Sequence, residues 1–125
     1  MQEHPNATLV RQMQGYMESG DWASLDKLAA DDIVWHEIGR AEPRRGKQEM
    51  APPPGEGESE YDIKYDTHDV VANDDHTIVL GTATATRNGK SLTYRTAEIF
   101  HVRDGKITER WAFSDDTQRI VDFFA

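Results

Sequence analysis

Apolar residues return at helical spacing in the first quarter of the chain and at every second position in its second half. Leu9, Val10, Met13, Tyr16 and Met17 share one face of a helix predicted from about Asn6 to Ser19. Asn6 is its expected N-cap and Gly20 its stop. Asp21 caps a second, shorter helix that turns Trp22, Leu25 and Leu28 inward, so Tyr16 and Trp22 are expected in the core. The short apolar run Ile33-Val34-Trp35 is rich in β-branched and aromatic residues, and it predicts a first strand from about Ile33 to Ile38. Pro43 to Met50 is predicted as a third helix. Pro52-Pro53-Pro54 must end it, because proline lacks the N–H and clashes with the preceding turn.

From Tyr61 onward the period is two. Tyr61, Ile63 and Tyr65 alternate with Asp62, Lys64 and Asp66, as in a half-buried strand. Ile78–Thr86, Leu92–Val102 and Ile107–Phe113 are the next three strands. Asn88-Gly89 and Asp104-Gly105 join them as two-residue turns of type I′. Asp115-Asp116 then cap a last helix that carries Val121, Phe123 and Phe124. Helices at one end and strands in series point to an α+β fold in one domain, residues 1–125. Its expected form is a curved, mostly antiparallel sheet with helices packed on the concave face, a cone-shaped α+β barrel.

Turns set register, and register sets faces. Around Asn88-Gly89, Ala85 falls opposite Leu92, Ala83 opposite Tyr94, Gly81 opposite Thr96 and Val79 opposite Glu98. The row Ala85, Ala83, Gly81 is small, so either something bulky covers it or a cavity remains. Around Asp104-Gly105, Phe100 falls opposite Glu109, Glu98 opposite Trp111 and Thr96 opposite Phe113; a bulge there would invert the parity. On the simple register Glu98 is a carboxyl group in an apolar pocket without a cationic neighbour, neutral and able to donate a hydrogen bond. The alternative is that Glu98 faces solvent and pairs with Arg95 or Arg110. Glu37 follows the first apolar run and suits a general base. An ionised Glu37 and a neutral Glu98 are the pair needed to shuttle a proton, with His36 and His68 as alternatives. Tyr16, Trp35, Tyr94, Thr96, Trp111 and Phe113 are the expected substrate-binding wall. The segment from Pro52 to Glu60 has little to bury; it is expected to be mobile and to border the cavity mouth.

The net charge of −9 argues against nucleic acid, whose phosphates it would repel. The absence of cysteine excludes disulfides, thiolate metal sites and cysteine nucleophiles. Metal-ligand spacing, a phosphate loop and a nucleophile elbow are also missing, so no metal or cofactor is expected. No apolar stretch approaches the roughly 18 residues of a membrane span. Met1-Gln2-Glu3-His4-Pro5 lacks a signal-peptide core, and a cytoplasmic location is the expectation, with no membrane partner. Thr82, Thr84, Ala97 and Ile99 leave the far face of the sheet too little charged for solvent, which predicts a homodimer through it.

Ser19-Gly20-Asp21, Ala30-Asp31-Asp32, Val34-Trp35-His36, Glu42-Pro43-Arg44 and Asp104-Gly105-Lys106-Ile107 leading into Glu109-Arg110-Trp111 occur in an order that resembles the nuclear transport factor 2-like superfamily. That superfamily includes ketosteroid isomerases and SnoaL-like polyketide cyclases, and the resemblance covers almost the whole chain. It implies that the isomerase general base falls on Glu37 and the neutral oxyanion-hole acid on Glu98, each one methylene longer. The oxyanion-hole tyrosine falls on Met13, which cannot donate, and this departure points away from a steroid isomerase. Many SnoaL-like proteins carry a histidine where Glu98 stands. The expected function is acid/base chemistry on a small apolar carbonyl compound, as isomerase, lyase or cyclase, with an epoxide-hydrolysing variant of the same pair. A non-catalytic small-molecule carrier and a protein-interaction module are the competing readings.

Overall fold

In the computed structural model, which describes residues 3–50 and 61–125, helix α1 runs Pro5–Ser19. Pro5 opens it with a φ already suited to the first turn. His4, rather than Asn6, is therefore the N-cap, its Nδ1 accepting from Asn6 N–H at 3.1 Å. Gly20 ends α1 as expected. Asp21 caps α2, Trp22–Leu28, by accepting from Ser24 N–H. Leu25 and Leu28 pack against the core, but Trp22 is 52% exposed, so its expected core role is overturned. It is the first residue of α2, a turn before Leu25, where the helix has only begun.

Strand β1 spans Ala29–Trp35 and stops three residues before the predicted end. The segment expected as one helix divides into β2, Arg44–Arg45, which pairs with the end of β1, and α3, Lys47–Met50. The expected stop at Pro52-Pro53-Pro54, and the expected mobility of Pro52 to Glu60, lie outside the described residues. The long strands follow: β3 (Tyr61–Ala72), β4 (Thr77–Arg87), β5 (Lys90–Arg103) and β6 (Lys106–Ser114), then α4 (Thr117–Phe124) capped by Asp116. Both central residues of each predicted turn have positive φ (Asn88 51°, Gly89 76°; Asp104 53°, Gly105 73°), the type I′ geometry.

The six strands form one sheet in the order β2-β1-β6-β5-β4-β3, antiparallel except where β1 meets β6. Helices and a mostly antiparallel sheet make the fold α+β, as expected. The β4–β5 register agrees with that predicted from the turn, with Gly81 opposite Thr96 and Val79 opposite Glu98. The β5–β6 register does not. It begins as predicted, Arg103 opposite Lys106 and Val102 opposite Ile107, and then slips by one residue at Thr108. Beyond that bulge Phe100 faces Arg110, Glu98 faces Ala112 and Thr96 faces Ser114.

Helix α1 covers the inner face of the sheet. Ala7, Val10 and Met13 pack with Ile33, Val70, Val79, Phe100 and Ile107. A second cluster joins Ala83, Ala85, Leu92 and Tyr94 to Ile120 of α4. No helix among the described residues is long and apolar enough to cross a membrane.

The outer face carries two apolar rows across the strands: Val71, Ile78, Ile99 and Trp111 in one, Leu80, Ala97 and Phe113 in the other. Val71, Leu80, Trp111 and Phe113 are exposed. We propose that a second copy of the chain covers these rows, because they leave four large apolar side chains of one face exposed side by side. Sedimentation at about tens of micromolar, an ordinary interface affinity range, is expected to show a dimer. Leu80→Asp together with Phe113→Asp is expected to leave a folded monomer. A wild-type monomer at that concentration would defeat the expectation.

Candidate active site

A cavity of about 780 Å3 lies between α1 and the inner face of β3 to β6. Met13 and Met17 of α1, Trp35, Ile38, Ile63, Ala83 and Tyr94 make its apolar wall. Gln14, Glu18, Asp62, Lys64 and Thr67 add polar groups, and a compact cluster of Tyr65, Thr96, Glu98 and Arg110 completes the lining. A mostly apolar wall with a few convergent polar groups is the usual form of a small-molecule site.

Arg110 is placed by the bulge in β6 and held from several sides. Its Nη2 donates to Glu98 Oε1 at 3.0 Å, its Nη1 donates to the His36 carbonyl at 2.9 Å, and its guanidinium lies 4.5 Å from the Trp35 ring centroid. Trp35 in turn meets the edge of Phe100 at 6.1 Å. The Glu98 and Arg110 side chains are only 14% and 11% exposed. Oε1 of Glu98 carries the bond to Arg110, and its Oε2 bonds no described residue. Arg110 Nε is buried without a partner among the described residues.

Tyr65 reaches the same cluster from β3. It stands opposite Ala83, leans over Gly81 and brings its Oη to 2.6 Å from Thr96 Oγ1. Burial pushes its phenol above the ordinary value of 10.0. The negative charge of Glu98 adds to this, while the Thr96 hydrogen bond and the charge of Arg110 oppose it. Tyr65 is thus the bulky group that covers the gap at Gly81, and Ile120 belongs to the cluster that covers Ala83 and Ala85.

Of the residues expected from sequence, Glu98, Trp35, Tyr94 and Thr96 line the cavity. Trp111 and Phe113 do not. The slip at Thr108 turns them to the outer face, where they are 38% and 53% exposed, and it brings Arg110 inward in their place. His36 is likewise outside, stacked on Trp111 at 4.1 Å with its Nε2 3.1 Å from Glu109 Oε2. Glu37 is not part of the wall; it accepts from Arg44 Nε at 2.7 Å. Tyr16 is half-buried and also outside the wall. His68 sits at the β3–β4 register shift and bonds the outward Thr82 hydroxyl at 3.0 Å. The expectation that Glu98 has no cationic neighbour is overturned by Arg110. The pair foreseen as an alternative does form, but inside the cavity rather than in solvent. Tyr65 escaped notice because only its contact with Gly81, two strands' geometry combined, reveals where its hydroxyl goes.

The SnoaL-like domain family matches residues 10–110. Comparison with curated proteins finds no match. Among solved structures, Bal32a from a soil-derived mobile gene cassette is 25% identical over 96% of each chain, with a TM-score of 0.85. An NTF2-like protein of Burkholderia xenovorans LB400 is 25% identical over 98% of this chain and 97% of that one, with a TM-score of 0.78. An LEH-like epoxide hydrolase of M. tuberculosis is 19% identical over 94% of this chain and 84% of that one, with a TM-score of 0.74. At that identity the last likeness shows the fold alone. The fold is that of the nuclear transport factor 2-like superfamily, as the motif order implied.

Because the folded chain raises the Tyr65 phenol, it keeps that proton at a pH where the unfolded chain has begun to lose it. The resulting stability is fully present below the unfolded value near pH 10 and is lost as the pH rises through the folded value. Urea unfolding from about pH 8 to about pH 12 is expected to show a steeper alkaline loss in wild type than in Tyr65→Phe. Parallel curves would mean that Tyr65 ionises as freely in the fold as out of it.

Proposed function

The chain belongs to the SnoaL-like domain family, and we propose that its cavity is the site of an acid/base enzyme acting on a small, largely apolar carbonyl compound without a cofactor. The observation that carries this reading is the single-point bond between the mostly buried Glu98 and Arg110 side chains at the cavity wall. Arg110 occupies Oε1 and leaves Oε2 to accept a proton. In the proposed step the C–H bond α to the carbonyl breaks, an O–H bond forms on Glu98, and the electron pair moves toward the carbonyl oxygen. An isomerase returns the proton to a different carbon. A lyase or cyclase instead breaks or makes a carbon–carbon bond through the same enolate. Arg110 holds the carboxylate still, and low exposure strengthens every charge–dipole contact with the developing anion. Glu98 thereby takes the base role expected of Glu37, whose bond to Arg44 occupies it outside the wall.

A second reading, a carrier that binds the same class of compound without turning it over, is favoured by that same place of Glu37. Only one of the two expected carboxylates lines the chamber. Solvent deuterium exchange separates the two readings and needs no knowledge of the natural product. Wild type is expected to speed exchange at the α-carbon of 2-tetralone or 2-indanone, followed by NMR. Glu98→Gln, whose amide oxygen still accepts from Arg110, is expected to lower that rate about 10²- to 10⁴-fold, the usual worth of a general base. Exchange equal in wild type and Glu98→Gln, with the ketone bound in both, would leave the carrier reading.

A further inference from the structure

We propose that Tyr65 is the hydrogen-bond donor that takes the ligand's oxygen in this cavity, and that Thr96 and Gly81 are the positioning residues that aim it. The proposal deepens the carbonyl reading of the site and rests on it. It starts from a glycine in the middle of an eleven-residue strand. Glycine weakens a strand interior and often marks a place where another group must come close. At Gly81 that group is the Tyr65 ring. A Cβ there would lie 2.5 Å from Tyr65 Cζ, 2.5 Å from its Oη and 2.7 Å from Cε1, well inside contact distance. The aromatic ring can lie across β4 only because nothing projects from this position.

Lying across β4 brings the phenol oxygen from β3 to β5, where Thr96 Oγ1 stands 2.6 Å away. Two hydroxyls that share one hydrogen bond use one of their two protons. The other has no acceptor among the described side chains, and both residues line the cavity. With Thr96 donating, the Tyr65 proton is the one left to the ligand. Burial keeps the phenol protonated, which a donor requires. Thr96 is two residues from Glu98 on the same face of β5, and Arg110 lies on β6 beyond it. The base and the proposed donor therefore share one end of the chamber, with Met13, Ile38 and Ala83 among the apolar groups that limit water. A proton taken by Glu98 and a charge developing on an oxygen held by Tyr65 would be handled within one polar cluster.

The infrared C=O stretch of bound 2-tetralone reads the donor directly and requires no turnover. In wild type the stretch is expected at lower wavenumber than for the ketone in hexane, and Glu98→Gln is expected to keep that shift. Tyr65→Phe retains the ring that fills the gap over Gly81, so it should fold; the shift should be lost, and α-exchange should fall about 10²- to 10³-fold, as for the loss of one oxyanion donor. Thr96→Val should reduce the shift, since the phenol proton is then no longer aimed. Gly81→Ala should abolish it by displacing the ring, while Gly15→Ala, on the exposed side of α1 with open space around an added Cβ, should not. The same stretch in wild type and Tyr65→Phe would overturn the proposal, even if exchange still depended on Glu98. A Tyr65-dependent shift without any exchange would uphold the donor and defeat the base. No bound-ketone signal at millimolar 2-tetralone would overturn both.

Discussion

Thr108 faces no residue of β5, and from that point the last strand runs one residue out of step with its neighbour. Period-two alternation makes the consequence large: a slip of one position exchanges the two faces for everything beyond it. Arg110 and Ala112 turn inward, while Glu109, Trp111 and Phe113 turn outward. Arg110 then meets Glu98, stacks on Trp35 and bonds the His36 carbonyl. It also accepts, through its own carbonyl, from His36 N–H at 2.9 Å. The parallel joint between β1 and β6 and the polar end of the cavity thus depend on one unpaired residue. Such bulges re-aim side chains next to sites in many sheets.

The cavity exists because the core is divided. One apolar cluster forms under α1 and another under α4, and the space between them is bridged by Tyr65, which packs against both. The small row Gly81, Ala83, Ala85 admits this arrangement: the two alanines leave room for α4, and the glycine leaves room for a ring lying flat on the strand. Normal packing density would otherwise fill such a row.

Within that space the chain keeps a carboxylate and a guanidinium, both mostly buried. A pair of this kind is seldom the most stable filling for an interior. Replacing both partners by apolar groups is often neutral or better, whereas removing only one costs about 3–5 kcal/mol. The remaining polar pair, Tyr65 with Thr96, lies close enough for Glu98 and Arg110 to act on the phenol in opposite directions. Stability alone therefore gives little reason for this cluster of four polar groups in the cavity wall, and chemistry on a bound compound gives one. The outer face shows the reverse allocation. Large apolar groups lie exposed there, while His36 and His101 both pair with Glu109 at the margin, at 3.1 and 3.4 Å.

Local chemistry was legible in the sequence wherever one residue type dictates one backbone state. Asn88-Gly89 and Asp104-Gly105 demand positive φ, so both hairpins and the whole β4–β5 register follow from them, and Glu98, Thr96 and Tyr94 fall on the cavity face as read. Alternation and helical spacing determined the α+β class for the same reason: burial of one face is a local periodicity. What the sequence could not decide are events with no local signature. Nothing in Thr108 marks it as the residue that goes unpaired; that is settled by how β6 must lie against both β5 and β1. Glu37 could not be assigned away from the cavity until β2 brought Arg44 beside it. Tyr65 could not be assigned to Thr96 until β3, β4 and β5 stood side by side with an empty position between them. The sequence by itself determined which residues share a face along each strand, because that period is built into the backbone. Only the tertiary structure decided which face of β6 meets the cavity and which side chains cross from one strand to another, because those depend on packing between segments far apart in the chain.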